Sequence, residues 1–307
     1  MNTFQFGFKE RHIILMDGGT GRELRSRGVE LSDNIWSATG LVKAPDVVFQ
    51  IHYDYIQAGS DIITTNSYGV IRENLVLEEI EDRFEELLVL SCELANEARR
   101  VSGRREVLIA GSIPPLKGSY RPDLVGEEWE MKASYTEHVR VMAPYVDLFL
   151  CETMSTVSEG RAAAKTASGS GKPVWVAWTL QEKNYGRLRS GETIAQACNA
   201  ITGLPVSGTL VNCCSPESVE AAIPELRNKG CKRIGGYANT FTPIPEDWVL
   251  GDGKGRGRSI SIREELTPDE YALHARKWIL DGANVIGGCC GTGPEHIRKL
   301  RQLIDNI

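Results

Sequence analysis

Residues 283–294 read ANVIGGCCGTGP. The first half is a short apolar run ending in glycine, which reads as a buried strand. It leads directly into two adjacent thiols, Cys289 and Cys290, set in a bed of glycine. Seven earlier runs have the same character: HIILMD (12–17), DIITT (61–65), EVLIAGS (106–112), VDLFLCE (146–152), PVWVAWT (173–179), SGTLVN (207–212) and RIGGYAN (233–239). Longer amphipathic segments lie between them. In RFEELLVLSCELANEARR (83–100), apolar residues recur at three- and four-residue steps, as on one face of a helix. SPESVEAAIPEL (215–226) and TPDEYALHARKWI (267–279) each open on a capping residue followed by proline at the first helical position. Strands alternating with crossover helices imply a parallel sheet. Eight such units predict a closed (β/α)8 barrel, one domain over residues 1–307, with an open doubly wound sheet as the alternative.

Composition fits that expectation and narrows the function. A chain of 307 residues suits one barrel, and 41% hydrophobic with 25% charged residues is ordinary for a globular domain. The net charge of −6 argues against nucleic-acid partners, which want a basic footprint. No apolar run approaches the roughly 20 residues needed to span a bilayer. The opening MNTFQFGFKERH carries charge early and does not read as a signal peptide. The eight cysteines therefore read as free thiols or metal ligands in a reducing cytoplasm. One long connector, WVLGDGKGRGRSISIREELT (248–267), is Gly-rich and basic; its stretch 251–266 has the character of a lid or mobile connector.

In a parallel barrel the C-terminal ends of all strands converge on one face, where active sites are built. Those ends carry Asp17-Gly18-Gly19, Thr65-Asn66-Ser67-Tyr68, Ser112, Cys151-Glu152-Thr153, Cys213-Cys214, Asn239-Thr240 and Cys289-Cys290. The strand bodies are aliphatic by contrast. Adjacent cysteines are poor disulfide partners. The sixth and eighth strands flank the seventh, so their thiols can meet across the mouth. Cys289, Cys290 and one of Cys213 and Cys214 would make a three-sulfur site suited to zinc, with its fourth position open as in catalytic sites. Glycines around 289–290 would let both side chains turn inward. The isolated Cys92, Cys151, Cys198 and Cys231 read as small buried hydrophobes.

The residues just named, in their order along the chain, resemble the homocysteine S-methyltransferases, zinc-dependent barrels that include the betaine-, S-methylmethionine- and cobalamin-dependent enzymes. MDGGTGREL, NIWSATGLVKAPDVV, AGSDIITTNSYGV, CET, VNCCSPE, YANT and IGGCCGTGPEHI carry the resemblance over nearly the whole chain. It implies that Cys213, Cys289 and Cys290 are the zinc ligands and catalytic centre. It also implies that Asp17 and Glu152 receive the ammonium group of homocysteine, and that the N–H groups of Gly18 and Thr65 take its carboxylate. Read without the resemblance, Asp17 is equally a helix cap before GREL and Glu152 a structural ion-pair partner.

The implied chemistry is methyl transfer to homocysteine, giving methionine. A free thiol is only a few per cent thiolate at neutral pH, and zinc in contact with it would favour the ionised form. The donor would be a sulfonium or quaternary ammonium held over an aromatic face, with Trp36 as the candidate and S-methylmethionine favoured by its WSA context. Ser67, Tyr68 and Asn239 stand where they could shape the pocket. Betaine, S-adenosylmethionine, another sulfonium donor or a selenocysteine-like acceptor would use the same chemistry. A Schiff-base lyase would need a lysine at a strand end, and the eight ends offer none. A metal-binding or redox protein would not need the Asp17 and Glu152 pair.

Overall fold

The computed structural model describes residues 13–183, 185–230, 232–244, 248 and 260–307. Its eight strands pair in parallel in the order β1 (Ile14–Leu15), β8 (Val285–Gly288), β7 (Ile234–Ala238), β6 (Val206–Asn212), β5 (Val174–Trp178), β4 (Leu148–Met154), β3 (Leu108–Ile113) and β2 (Ile62–Thr64). An isolated parallel bridge between Met16 and Ile62 joins the two ends of this series. The sheet therefore closes on itself as a (β/α)8 barrel, and the open doubly wound alternative is excluded. Every expected strand is present, with bounds shifted by no more than two residues.

Crossover helices alternate with the strands. The expected helix over 83–100 is Phe84–Ser102, ended by Gly103 at φ 74°. Ser215 caps Pro216–Asn228 through a bond from the Ser218 N–H, and Thr267 caps Pro268–Asp281 through a bond from the Glu270 N–H. Along each strand the two-residue period divides the side chains between two layers. Ile14, Met16, Leu148, Leu150, Trp175 and Ala177 fill the inside of the barrel. Leu15, Phe149, Val176 and Val211 face the helices. The lumen is a packed core, as is usual for such barrels.

The join between β1 and β2 differs from the other seven. Besides the single bridge and a backbone bond from Asp61 N–H to Leu15 O at 2.7 Å, it depends on side chains. Asp61 accepts from the Leu15 N–H at 2.9 Å and is itself gripped by Arg301 at 2.7 Å. Asp17 accepts from the Thr64 N–H at 2.7 Å and the Thr64 hydroxyl at 3.1 Å.

Cys92, Cys151 and Cys198 lie in the layer between sheet and helices, as buried apolar filler; Cys231 falls outside the described residues. Burial pushes the Cys92 thiol up to about 12, so it stays protonated and inert. Cys92→Ala is expected to cost about 1 kcal/mol in urea unfolding with metal content unchanged. Metal loss in that variant would place this sulfur at a site the fold does not offer. Among the described residues no helix is long and apolar enough to cross a membrane. Of the long connector, residues 249–259 lie outside the described ones. Its return is pinned beside the end of β7, where Arg263 N–H donates to Thr240 O at 2.8 Å and Thr242 N–H to Ser261 O at 2.9 Å.

Candidate active site

Three sulfurs meet at the mouth. The Sγ atoms of Cys213, Cys289 and Cys290 all lie within 4.8 Å of one another, and Cys213 and Cys290 are 3.8 Å apart. That spacing is far too long for a disulfide. Zinc–sulfur bonds of about 2.3 Å at tetrahedral angles place sulfurs about 3.8 Å apart, so the donor set fits a tetrahedral ion with one position left over. The backbone of β7 sets the arrangement: Cys213 N–H donates to Tyr237 O at 3.2 Å and Cys289 N–H to Ala238 O at 2.9 Å. Gly291, at φ 85°, then turns the chain so tightly that a Cβ there would stand 2.0 Å from the Thr240 hydroxyl. Cys213 itself sits at φ 50°, a left-handed conformation that a side chain adopts only when its surroundings impose it. Its thiol is held well below the usual range by hydrogen bonds from the Cys289 and Cys290 thiols. Cys214 turns the other way, into the sheet–helix core, and burial pushes its thiol up.

Two carboxylates share the same cavity. Asp17 is held by Thr64 as described above. Glu152 accepts from Ser112 Oγ at 2.5 Å and from the Tyr237 hydroxyl at 3.2 Å. Burial raises Asp17 to about 8, with the Glu152 charge adding to it, and raises Glu152 to about 7, with Cys213 adding to it. Among the described residues neither has a lysine or arginine partner. Asp17 is not a helix cap either, since Gly19 occupies that position for Thr20–Ser26 without any side-chain bond. Among the described residues neither alternative for these acids is therefore realised. A pair of desolvated carboxyl groups with unused acceptor capacity suits a multi-donor cation such as an ammonium.

The cavity around these groups measures about 340 Å³ and is lined by Gly18, Trp36, Thr65, Tyr68, Tyr120 and Phe241, among others. At Gly18 a Cβ would lie 2.8 Å from Thr292 O, so the loop admits only glycine there. Four expectations are modified. Thr65 lines the cavity, but its N–H already donates to Ala110 O at 2.9 Å, extending the β2–β3 ladder beyond the last named pair. Asn239 does not line the cavity; its Oδ1 accepts from Phe241 N–H at 3.1 Å and braces that ring. Trp36 lines the cavity with the Arg25 guanidinium stacked 4.6 Å over its ring, so one face is taken. Ser67 bonds to Ser112 O behind the wall, whereas Tyr68 reaches the cavity and pairs with Ser119 at 2.6 Å.

Several residues of the site escaped the sequence reading. Ser112 was noted only as a strand end, yet with Tyr237 it orients Glu152. Thr153, at φ 62°, is fixed by Asn212, whose Oδ1 accepts from its N–H at 2.9 Å. Tyr120, Phe241 and Ile244 form an apolar wall against the three thiols. The one signal available was alternation along RIGGYAN, which turns Tyr237 inward.

Comparison with known proteins follows the same lines. The sequence profile described as homocysteine S-methyltransferase matches residues 14–304. Homocysteine S-methyltransferase 4 of Zea mays is 29% identical, over 94% of this chain and 89% of its own length. Selenocysteine methyltransferase of Astragalus bisulcatus is 28% identical, over 94% and 91% respectively. Among solved structures, the metallated form of the homocysteine methyltransferase MmuM from Escherichia coli superposes with a TM-score of 0.79 at 27% identity, covering 94% of this chain and 96% of that one.

Proposed function

We propose, from the premise that this chain belongs to the homocysteine S-methyltransferase family, that it transfers a methyl group from S-methylmethionine to homocysteine, giving methionine, with zinc held by Cys213, Cys289 and Cys290. The chain is a methyltransferase on the strength of that membership. The observation that carries the finer reading is the placement, in one cavity, of three sulfurs within 4.8 Å of one another beside two buried carboxyl groups that have no cationic partner among the described residues.

Each protein group has a task in this scheme. Asp17 and Glu152 accept the ammonium of homocysteine, with Thr64, Ser112 and Tyr237 fixing their oxygens. The amino-acid carboxylate lies toward the Gly18 loop, where the missing side chain permits close approach. Zinc, when bound by the three cysteines, supplies a Lewis-acid site that favours the thiolate form of the acceptor. The homocysteine sulfur forms a bond to the donor methyl carbon. The carbon–sulfur bond of the sulfonium breaks with its electron pair passing to the donor sulfur, leaving a neutral thioether. The thiol proton goes to solvent. Tyr120 and Phe241 keep water from the reacting atoms, and the rate gain comes chiefly from alignment of donor and acceptor.

A selenocysteine-type acceptor is the second reading, favoured by the likeness to the Astragalus enzyme. The described cysteines are all free, which suits methionine formation in a reducing compartment such as the cytoplasm. Metal-replete protein should be incubated with homocysteine and, in separate reactions, S-methylmethionine, S-adenosylmethionine, betaine and dimethylsulfoniopropionate, and parallel reactions run with selenocysteine. Methionine is expected from S-methylmethionine at the highest rate. Methylation of neither acceptor by any donor would end this reading.

A further inference from the structure

The cavity has a second chemical character at its outer wall. Arg22 and Arg25 stand three residues apart on the helix Thr20–Ser26, and both line the cavity that holds the thiols. Residues at that spacing share a helix face, where like charges repel. Arg22 lies over the Phe241 ring at 5.1 Å and donates from Nη2 to Ile260 O, while its buried Nε has no partner among the described residues. Arg25 stacks on Trp36 and makes no hydrogen bond or ion pair among the described residues. The acidic residues nearby are otherwise engaged or unpaired with them: Glu23 holds Arg27 at 3.0 Å, and Asp33 lines the cavity without bridging either guanidinium.

Two adjacent guanidiniums without a carboxylate partner among the described residues are an unusual wall for a cavity that is to admit a cationic methyl donor. A donor that is only a cation would be repelled on entry. A donor that also carries a carboxylate would find planar, multi-donor partners for it, already oriented by stacking on aromatic rings. We infer that Arg22 and Arg25 form the binding site for the carboxylate of the methyl donor and are the residues that set its preference for an acid-bearing onium over a simple onium cation. This rests on the reading of the cavity as a methyl-transfer site. It also gives Trp36 a role: its ring sets the Arg25 plane.

The test uses the full, metal-replete chain. Wild type, Arg25→Gln, Arg22→Lys and the double variant Arg22→Gln/Arg25→Gln are titrated calorimetrically with S-methylmethionine, dimethylsulfoniopropionate and trimethylsulfonium. Methyl transfer to homocysteine is measured with the same three donors. Circular dichroism and metal content establish that each variant is folded and loaded, and Arg25→Gln serves if the Arg22 variants are not. The expected result is a rise of about tenfold or more in Kd and KM for the two carboxylate-bearing donors. Trimethylsulfonium should lose nothing, and the KM for homocysteine should stay at its wild-type value. Equal losses for all three donors, or none, would overturn the assignment, as would failure of the wild type to bind either carboxylate donor. Arginine-dependent binding without methylation of homocysteine would keep the carboxylate site and remove the methyl-transfer reading. Methylation with unchanged donor binding in the variants would do the reverse.

Discussion

Cys289→Ala is expected to lose its zinc and its methyl-transfer activity together, with the rate falling about a thousandfold or more. The reason is geometric. The three sulfurs are brought within 4.8 Å by two separate strand ends, and no histidine or further acid joins that cluster among the described residues. Two remaining thiolates cannot complete a four-coordinate soft site. Without the metal the acceptor stays a thiol at neutral pH, so both activation and alignment are lost. Cys214→Ala supplies the matched control, since that side chain turns into the sheet–helix core; it is expected to retain the metal. Metal analysis of the purified variants decides the matter. Stoichiometric zinc in Cys289→Ala would mean the ligands have been misassigned.

Asp17→Asn is expected to weaken homocysteine binding by about a hundredfold while the metal stays in place, because an ammonium loses one of its two buried charged acceptors. The same change is expected to stabilise the free protein at alkaline pH. Burial raises the Asp17 carboxyl from 3.8 to about 8, so between those values the folded chain holds a proton that the unfolded chain has released. Stability therefore falls as pH rises through that window. Asparagine carries no such charge, yet its amide can still accept from the Thr64 N–H and donate to the Thr64 hydroxyl. The melting temperature of the variant should exceed that of wild type by about 2–4 °C at pH 8, with the gap closing toward pH 4. A variant less stable than wild type at pH 8, or one with unchanged homocysteine affinity, would remove Asp17 from the role given to it. Such a trade of stability for binding is common where a site holds desolvated charge.

The barrel was readable because parallel strands covered on both faces are short, nearly continuous apolar runs, and each of the eight here is cut off by polar or glycine residues. The thiols were readable because two vicinal pairs fall at the ends of strands that flank a common neighbour. Other features depend on information a linear reading lacks. Nothing in the side chain of Cys213 announces a left-handed backbone, at φ 50°, with its N–H bonded to Tyr237 O on the neighbouring strand. The peptide N–H of Thr65 looked free because sequence does not show where a ladder stops, and here it runs one bond further. Asn239 looked like a pocket residue, but its amide oxygen satisfies a backbone N–H two positions on, a habit of asparagine in tight turns. Ser112 and Tyr237 matter through their direction, which follows only once strand alternation is phased against the lumen.

The join between β1 and β2 has a bearing on how the whole cylinder responds to its ligand. Seven of its eight joins are laced by backbone ladders, whereas this one is buttoned by a single bridge, one further backbone bond and two aspartates. One of those buttons is Asp17, the group an incoming amino acid would seize. Filling the mouth would therefore tug on the hoop's own clasp, and the Thr64 amide proton, bonded to Asp17, is the reporter through which solvent exchange would register that pull.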